Sequence, residues 1–315
     1  MYSFNAMNTT FFTAGLEEKY SLQYKAWAHH VEKKVSRFRK DSELSQINQE
    51  KGEIFVPSAL LFELLTESLH YYEETDHLFT PFLRQKMMEI GYNRSFEQLH
   101  TTVISESMAY ANDRKKRNPS PTHLPLKING GMKSICLATD ADVDLGGIAK
   151  GWTAQKMKNW LLADGVASGL LDAGGDLAVW GKSPENGNWV IELANPFLPE
   201  EAIGSFTLHR DCGIATSSSL KRRWKNEDGE IAHHIIDPRI GWSTQTDYVQ
   251  ITLFTPNLTT SEVYAKCLFI LGSKNGPQWI QKKLPDAAWI AILQDGSIEI
   301  SPSLKTYCSN WEFHA

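Results

Sequence analysis

The sequence predicts a globular protein that contains both α-helices and β-strands. Residues 57–75 place leucines on one face of a helix, whereas residues 246–254 have the pattern of a strand. Of the 315 residues, 42% are hydrophobic and 22% are charged, which is ordinary for a soluble globular protein. This length allows one large domain or two ordinary domains with a well-developed core.

The composition excludes several classes of protein. The formal net charge is -5, so we expect no general attraction to nucleic acid or to an anionic membrane. The four cysteines lie far apart without a Cys-x-x-Cys pair, which argues against a zinc site and favours a reducing cytosol. The first residues lack the basic and apolar regions of a signal peptide, and no run is long and apolar enough to span a bilayer. We therefore expect a cytoplasmic protein.

The N-terminal half predicts, in order, a strand over 4–14, a helix over 16–36, a polar connection over 37–48 and the amphipathic helix over 57–75. The segment Ala6-Met-Asn-Thr-Thr10 is expected at the centre of the first strand. In the polar connection, Asp41 or Ser42 is placed to cap a short helical turn. Further on, the four charged residues at 114–117 favour a solvated loop over an RNA-binding patch, because no aromatic residues interleave.

The central stretch predicts a strand that ends at Leu145, a turn at Gly146-Gly147 and a helix that runs to about Asp164. Two adjacent glycines let the main chain approach a ligand closely, and the first turn of a helix offers unpaired N–H groups that attract phosphate. Lys150 could add a positive charge beside an anion held there. The stretch matches neither the Walker pattern nor the dinucleotide fingerprint, so taken alone it favours a plain turn over a phosphate site.

The C-terminal half predicts mainly strands, at 170–181, 189–193, 204–208, from 214, at 246–254, 287–293 and 298–300. The first of these is interrupted by Gly174-Gly175, with Asp172 and Asp176 on either side, which indicates a bulge or a close backbone approach.

One helix is expected among these strands, over 259–272, with Gly272 as its natural stop. Thr259 and Glu262 form the pattern of a capping box at its start. Before it, the run Ala232-His-His-Ile-Ile-Asp-Pro-Arg-Ile-Gly241 contains more polar chemistry than a hairpin requires, and it is a candidate site.

Taken together in order, seven motifs resemble those of the FAD:protein FMN transferases, the ApbE family of flavin transferases. They are Ala6–Thr10, Ser36–Phe38 with Asp41–Ser45, Asp144–Gly151, Gly174–Asp176, Ala215–Ser217, His233–Gly241 and Leu268–Gly272. The resemblance implies an α+β fold of the T-fold kind, with mixed or antiparallel sheets packed with helices. It further implies one flavin transferase unit over 1–315, which could form two α+β lobes with the FAD site between them.

Members of this family move FMN from FAD onto a threonine or serine hydroxyl of a target protein and release AMP, usually with magnesium. The resemblance therefore implies FAD and a flavin-acceptor protein as partners, with no role for nucleic acid or membrane. Together with the chemistry of a diphosphate, it predicts FAD contacts at Met7, Asp144, Gly146, Gly147, Lys150, Asp176, Thr216, Ser217, His234, Ile235, Asp237 and Lys266. His234 or Asp237 is the expected acceptor of the hydroxyl proton, although Asp237 could serve only by hydrogen-bonding the ligand.

The Mg²⁺ site that the resemblance implies departs from the family pattern in this chain. An Asp and a Thr one helical turn apart correspond here to Glu262 and Lys266, and a backbone oxygen corresponds to that of Ala149. A protonated lysine cannot ligate a cation. Two interpretations stay open: a surface ion pair on the helix, or a Lys266 ammonium that takes the place of the metal and touches the diphosphate.

Other departures bear on catalysis more than on the fold: Ser218, Gln155 and Thr80 stand where the family commonly has Gly, Asp and Asp. Two functions other than FMN transfer are therefore also compatible with the sequence. One is a non-catalytic FAD-binding protein, and the other is an FAD pyrophosphatase that gives FMN and AMP.

Overall fold

The computed structural model of the chain describes residues 1–92, 124–185, 187–198, 200–220, 222–225 and 229–313. The charged segment at 114–117 lies outside these residues. The chain forms two compact units. Unit 1 comprises residues 1–28, 150–221 and 246–315, and unit 2 comprises residues 29–149 and 222–245.

The helices and strands, in chain order, are β1 Tyr2–Ala6, β2 Thr9–Ala14, α1 Glu18–Val35, α2 Glu43–Gln49, β3 Ile54–Phe55, α3 Ala59–Glu74, α4 Arg84–Glu89, β4 Leu126–Asn129, β5 Ser134–Leu137, α5 Ala149–Ala163, β6 Gly169–Ala173, β7 Leu177–Trp180, β8 Val190–Ala194, β9 Ala202–Leu208, β10 Cys212–Ser218, β11 Arg223–Lys225, β12 Ile231–His233, β13 Ile236–Asp237, β14 Trp242–Ser243, β15 Tyr248–Thr255, α6 Leu258–Lys283, β16 Ala288–Leu293, β17 Ile298–Ile300, a 3₁₀ helix Pro302–Thr306 and β18 Cys308–Phe313.

Unit 1 contains an eight-stranded antiparallel sheet in the order β1-β2-β6-β7-β10-β15-β16-β17. Successive residues of one strand belong to different hydrophobic clusters: Leu170 and Val179 pack in one, whereas Leu171 and Trp180 pack in the other. Because successive side chains of a strand point to opposite faces, both faces of this sheet are covered. Helices α1 and α5 contribute to one cluster, and the three-stranded sheet β18-β9-β8 contributes to the other.

Unit 2 contains the antiparallel sheet β3-β5-β4 and the two hairpins β11-β12 and β13-β14, together with helices α2 to α4. Its described hydrophobic cluster includes Ile90, Tyr92, Trp224 and Ile236. Trp224 also donates its indole N–H to the backbone oxygen of Ile90 at 2.7 Å, so its one polar atom is satisfied inside the cluster.

The helices over 16–36, 57–75 and up to Asp164 are confirmed within a few residues as α1, α3 and α5, and Ser42 caps α2 as expected. The single strand over 4–14 is wrong. The chain instead makes a hairpin of β1 and β2, and Met7 and Asn8 form its turn with φ of 50° and 57°. Positive φ at both central residues suits the twist of a tight hairpin.

The strand predicted to end at Leu145 is also wrong. The N–H of Val143 donates to the side-chain oxygen of Asn48 at 2.7 Å, and the Asn48 amide donates back to the Val143 carbonyl at 2.9 Å. The N–H of Asp144 donates to the carbonyl of Pro81 at 2.7 Å. A side chain and a loop therefore satisfy backbone groups that a strand would pair with a neighbouring strand.

The segments around Gly174-Gly175 and Gly272 also differ from the predicted secondary structure. Residues 170–181 form the two paired strands β6 and β7, because Gly174 and Gly175 adopt φ of 78° and 93° and make a turn. Helix α6 begins after Asn257, whose side chain accepts from the N–H of Thr260, so the capping box of Thr259 and Glu262 is wrong. The helix kinks at Gly272, as its predicted stop indicates, and continues to Lys283.

Candidate active site

Unit 1 contains a cluster of two lysines and two carboxylates. The Lys150 ammonium, in the first turn of α5, donates to Asp176 Oδ2 at 2.6 Å and to Glu262 Oε1 at 2.9 Å. Lys266, one turn after Glu262 on α6, donates to the Glu262 carbonyl at 3.1 Å and to Oε1 at 3.4 Å. Four predicted site residues are thus brought together: Lys150, Asp176, Glu262 and Lys266.

The Glu262 carboxylate lies at the centre of this cluster, where α5 and α6 come close together. Its Oε2 accepts the N–H of Gly151 at 2.8 Å. A Cβ at Gly151 would lie 2.9 Å from Glu262 Oε2 and 3.1 Å from the carbonyl oxygen of Leu258, so only glycine leaves room for this contact. The N–H of Gly151 therefore serves the protein's own carboxylate, where the sequence suggested phosphate.

Burial and the neighbouring charges shift the pKa values of Glu262 and Lys150 in opposite directions. The Glu262 side chain is only 1% exposed, so the interpretation of a surface ion pair with Lys266 is wrong. Burial by itself would raise the pKa of Glu262, but Lys150 and Lys266 lower it below its usual range. Burial would likewise lower the pKa of Lys150, yet Asp176 and Glu262 raise it. Glu262 and Lys150 therefore hold each other in their charged forms.

Asp176, in the turn between β6 and β7, connects the cluster to strands β10 and β15. Its Oδ1 accepts the N–H of Thr216 on β10 at 3.0 Å, and the Thr216 hydroxyl lies 2.9 Å from that of Thr252 on β15. Ser217 is buried, whereas Thr216 is partly exposed, as expected for successive residues of a strand. Met7 lies in the turn of the β1-β2 hairpin, and β2 pairs with β6, which leads into the Gly174-Gly175 turn.

Asp172 shapes the Gly174-Gly175 turn. Its carboxylate accepts the N–H of Gly174 at 2.8 Å and the N–H of Gly175 at 3.1 and 3.2 Å. Burial raises the pKa of Asp172 to about 7, and the nearby Asp176 raises it as well, against the two glycine N–H groups. Asp172 is therefore a structural carboxylate that titrates near neutrality.

In unit 2, Asp144 binds the guanidinium of Arg37 and accepts the N–H of Gly146 at 2.7 Å. The N–H groups of Ile148 and Ala149 both donate to the carbonyl of Leu145, at 3.1 and 2.9 Å. Three N–H groups near the predicted phosphate turn are thus already used within the protein. The contacts of Gly146 and Gly147 with a phosphate stay predictions.

An aromatic stack that the sequence reasoning missed surrounds Arg37. The guanidinium carbon lies 4.6 Å from the centre of the Phe38 ring and 4.5 Å from that of Tyr92. Tyr92 in turn stacks on Trp224 at 5.0 Å. Phe38 is 38% exposed, so a planar ligand could use its free face. The only signal in the sequence was the motif Ser36-Arg37-Phe38.

The two adjacent histidines have different environments. His233 is buried; its Nε2 lies 3.0 Å from the carbonyl of Thr244, and its Nδ1 accepts the N–H of Ile235 at 3.3 Å. These contacts require a neutral ring protonated at Nε2, and burial lowers the pKa of His233 to about 4. His234 is partly exposed, with its Nδ1 buried. Ile235 is buried, and its carbonyl accepts the N–H of Thr244 at 2.9 Å.

Asp237 is bound on both oxygens by Arg239. Oδ1 accepts the backbone N–H and Nε of Arg239, both at 2.9 Å, and Oδ2 accepts a terminal guanidinium nitrogen at 2.7 Å. The Asp237 hydrogen bond raises the pKa of Arg239. A proton accepted by Asp237 would displace part of this bidentate pair.

The residues predicted to stand at a Mg²⁺ site do not fit a divalent cation. Both oxygens of Glu262 are occupied by N–H donors, and two of these donors are ammonium groups. Ala149 is the first residue of α5. Within the described part of the chain, no group of three or more His, Cys, Asp or Glu is arranged to hold a metal ion.

The fold and the site define an α+β protein with a lysine–carboxylate cluster that joins helices α5 and α6 to the β6-β7 turn of an antiparallel sheet. The sequence matches the model of the ApbE family over residues 6–290, and the chain belongs to that family. The resemblance and the predicted fold class are confirmed. That one FAD molecule lies between two lobes stays a prediction.

Relatives and solved structures agree with this family. The chain is 28% identical over 304 residues to the FAD:protein FMN transferase of Treponema pallidum, covering 92% of this chain and 80% of that relative. The transferase of Vibrio cholerae is 25% identical over 281 residues, covering 89% of this chain and 81% of that relative. The ApbE protein from Thermotoga maritima has the same fold, with a TM-score of 0.80 at 20% identity over 98% of this chain and 99% of that one.

Among the helices of the described residues, none combines the length and the apolar composition that crossing a membrane requires.

Proposed function

We propose that the chain binds FAD and transfers its FMN part to a threonine or serine hydroxyl of a target protein, releasing AMP. The observation that carries this proposal is the lysine–carboxylate cluster between α5, α6 and the β6-β7 turn, in a family whose curated relatives are named FAD:protein FMN transferases. In this reaction the hydroxyl oxygen bonds to the FMN phosphorus and the bond from that phosphorus to AMP breaks. The hydroxyl proton passes to a base of the protein.

Lys266 is the cation of the cluster that is best placed to contact the diphosphate. Lys150 already donates to two carboxylates at 2.6 and 2.9 Å, whereas the contacts described for Lys266 are longer, at 3.1 and 3.4 Å, and both are to Glu262. The Lys266 side chain is 22% exposed. Its charge would neutralise the developing charge of the departing AMP, and Lys150 would hold the two carboxylates in place.

In unit 2, Phe38 offers a half-exposed ring face beside the Arg37 guanidinium, which suits one of the planar ring systems of FAD. Gly146 lies against the same Arg37 and Asp144 pair. Replacing Phe38 by leucine tests this contact, since an aliphatic side chain keeps the apolar surface and removes the stacking face.

His234 is the proton acceptor that the contacts favour. His233 is committed to a neutral structural tautomer, and Asp237 is held on both oxygens by Arg239. Because Nδ1 of His234 is buried, Nε2 is the ring nitrogen that can face a substrate hydroxyl. Asp237 would then act by fixing Arg239 and the turn after His234.

A non-catalytic FAD-binding protein is the second candidate, because the cluster is electrically balanced without a metal ion. Its two ammonium groups and two carboxylates sum to zero formal charge. Such a site could hold a diphosphate without supplying the extra positive charge that speeds its cleavage.

One incubation separates these functions. The protein is mixed with FAD and a threonine-bearing peptide, and AMP release and covalent flavin are followed by chromatography and mass spectrometry. Flavin on the peptide with matching AMP supports transfer. AMP with free FMN identifies a pyrophosphatase, and bound but intact FAD identifies a binding protein.

The role of His234 is tested in the same incubation. His234→Gln should lower transfer by at least about a hundredfold with FAD binding retained, as expected when a general base is lost. His209→Gln is the control, since His209 is exposed and hydrogen-bonded only to the carbonyl of Lys305 among the contacts described. Equal transfer by both variants would remove His234 from the mechanism.

The proposal includes the cytoplasm as the compartment and a target protein as the partner. All four cysteines are free, and three of them are buried, which supports the reducing cytoplasm as the place of action. The partner is a protein that presents a threonine or serine hydroxyl.

A further inference from the structure

Both oxygens of the carboxylate that a divalent metal would need in this cluster already accept N–H donors. Mg²⁺ binds oxygen ligands at about 2.1 Å in a nearly octahedral arrangement, and each ligand must turn a lone pair to the ion. In Glu262, Oε1 faces the ammonium groups of Lys150 and Lys266, and Oε2 faces the N–H of Gly151. A metal ion at Glu262 would have to share these oxygens with the donors or displace one of them.

The charge balance opposes such a displacement. Lys150 and Lys266 carry two positive charges, and Asp176 and Glu262 carry two negative charges. A divalent ion added among them would leave two uncompensated positive charges beside a carboxylate that is 1% exposed. The repulsion would come from ammonium groups that contact the same oxygen as the ion.

The lysines are also held firmly in place. Lys266 is anchored by its own helix, through the carbonyl of Glu262 at 3.1 Å, and Lys150 is fixed between two carboxylates. Neither side chain has to enter the cluster when a ligand binds. The positive charge is therefore part of the folded protein before FAD arrives.

We infer that this chain binds FAD without a divalent metal, and that the Lys266 ammonium supplies the cation at the diphosphate. The inference rests on the proposed binding of FAD and makes it more specific. It concerns a metal that the family implies and that the side chains present here do not accommodate.

The metal itself is tested first, on the FAD-free protein, because this measurement stands even if FAD does not bind. Mn²⁺ serves as the probe and its binding is followed by electron paramagnetic resonance. We expect no site tighter than about 1 mM. Tighter binding that is lost in Glu262→Gln would overturn the inference.

FAD binding is then measured by calorimetry with EDTA and with excess Mg²⁺. We expect the same Kd in both, whereas a gain of about tenfold or more with Mg²⁺ would contradict the inference. In EDTA, Lys266→Met should weaken FAD binding by about tenfold to a hundredfold, because a charge-assisted contact is lost. Lys266→Arg should recover most of the affinity, since it restores the charge.

Lys274→Met is the matched control, because Lys274 is an exposed lysine on the same element α6 and should not affect FAD binding. Thermal melting establishes that each variant is folded. If Lys266→Met binds FAD as the wild type does, Lys266 is not the cation. Failure of every folded variant and of the wild type to bind FAD would instead refute the proposed function, while the Mn²⁺ measurement still decides on the metal.

Discussion

Glu262→Gln removes one negative charge from the centre of the cluster without changing the shape of the side chain. Lys150 and Lys266 then share a region in which only Asp176 carries a compensating charge. Removing one partner of a buried ion pair typically costs about 3–5 kcal/mol, because the remaining charge stays buried. Since the Lys266 side chain is 22% exposed and can turn to solvent, we expect the lower end of this range, about 3 kcal/mol.

The loss is measured as the free energy of unfolding in urea at neutral pH, followed by tryptophan fluorescence. Glu89→Gln is the matched control, because Lys86 and Glu89 form an ion pair of 3.0 Å in which Glu89 is 47% exposed. For that pair we expect a loss below about 1 kcal/mol.

A double variant identifies charge imbalance as the cause. Glu262→Gln combined with Lys266→Met leaves Lys150 opposite Asp176, which restores the balance at 2.6 Å. We expect the double variant to be more stable than Glu262→Gln alone. A loss below about 1 kcal/mol in the single variant, or no recovery in the double one, would refute the reasoning.

Three further predictions concern pH and packing. The pKa of Asp172, about 7 in the folded protein against 3.8 ordinarily, means that the folded state favours the neutral acid, so this group adds stability as pH falls from above 7 towards 3.8. Between about pH 8 and pH 5.5 it should add about 2 kcal/mol in urea unfolding, and Asp172→Asn should remove that gain. For His233, the pKa of about 4 against 6.5 means that the folded state favours the neutral ring, so stability is present above pH 6.5 and is lost as pH falls towards 4. This loss should reach about 3 kcal/mol at about pH 4 and should be absent in His233→Gln; an unchanged acid limb would contradict the buried neutral ring. Gly151→Ala should cost about 1–3 kcal/mol in thermal or urea unfolding, because its Cβ would crowd Glu262, whereas Gly130→Ala, with no atom nearby, should be neutral; equal effects would show that α5 and α6 can separate freely.

Local pattern was a good guide where a segment's own residues decide its conformation. The leucine spacing of α3 and the serine that caps α2 act within a few residues, so the sequence shows both directly. The β1-β2 turn was missed because Met7-Asn8 is not one of the Asn-Gly or Asp-Gly pairs that mark a tight hairpin in a sequence. Only pairing with the rest of the sheet favours their positive φ.

Strand β18 was missed for a related reason. Its partner β9 lies about 100 residues earlier in the chain, so the residues near β18 do not indicate the pairing. The strand predicted to end at Leu145 does not include Val143, although the local sequence pattern favoured it. There the Asn48 side chain takes the place of a neighbouring strand.

The sequence by itself determined the family and the α+β class, and it predicted that Lys266 stands at a metal-ligand position. These follow from residue identity and order, which the linear chain displays in full. Only the tertiary structure decided that Glu262 is buried, that Lys150 is the second ammonium on it, and that His233 is a neutral structural residue. Burial and pairing depend on which distant segments meet, and charge in a protein interior is set by those neighbours.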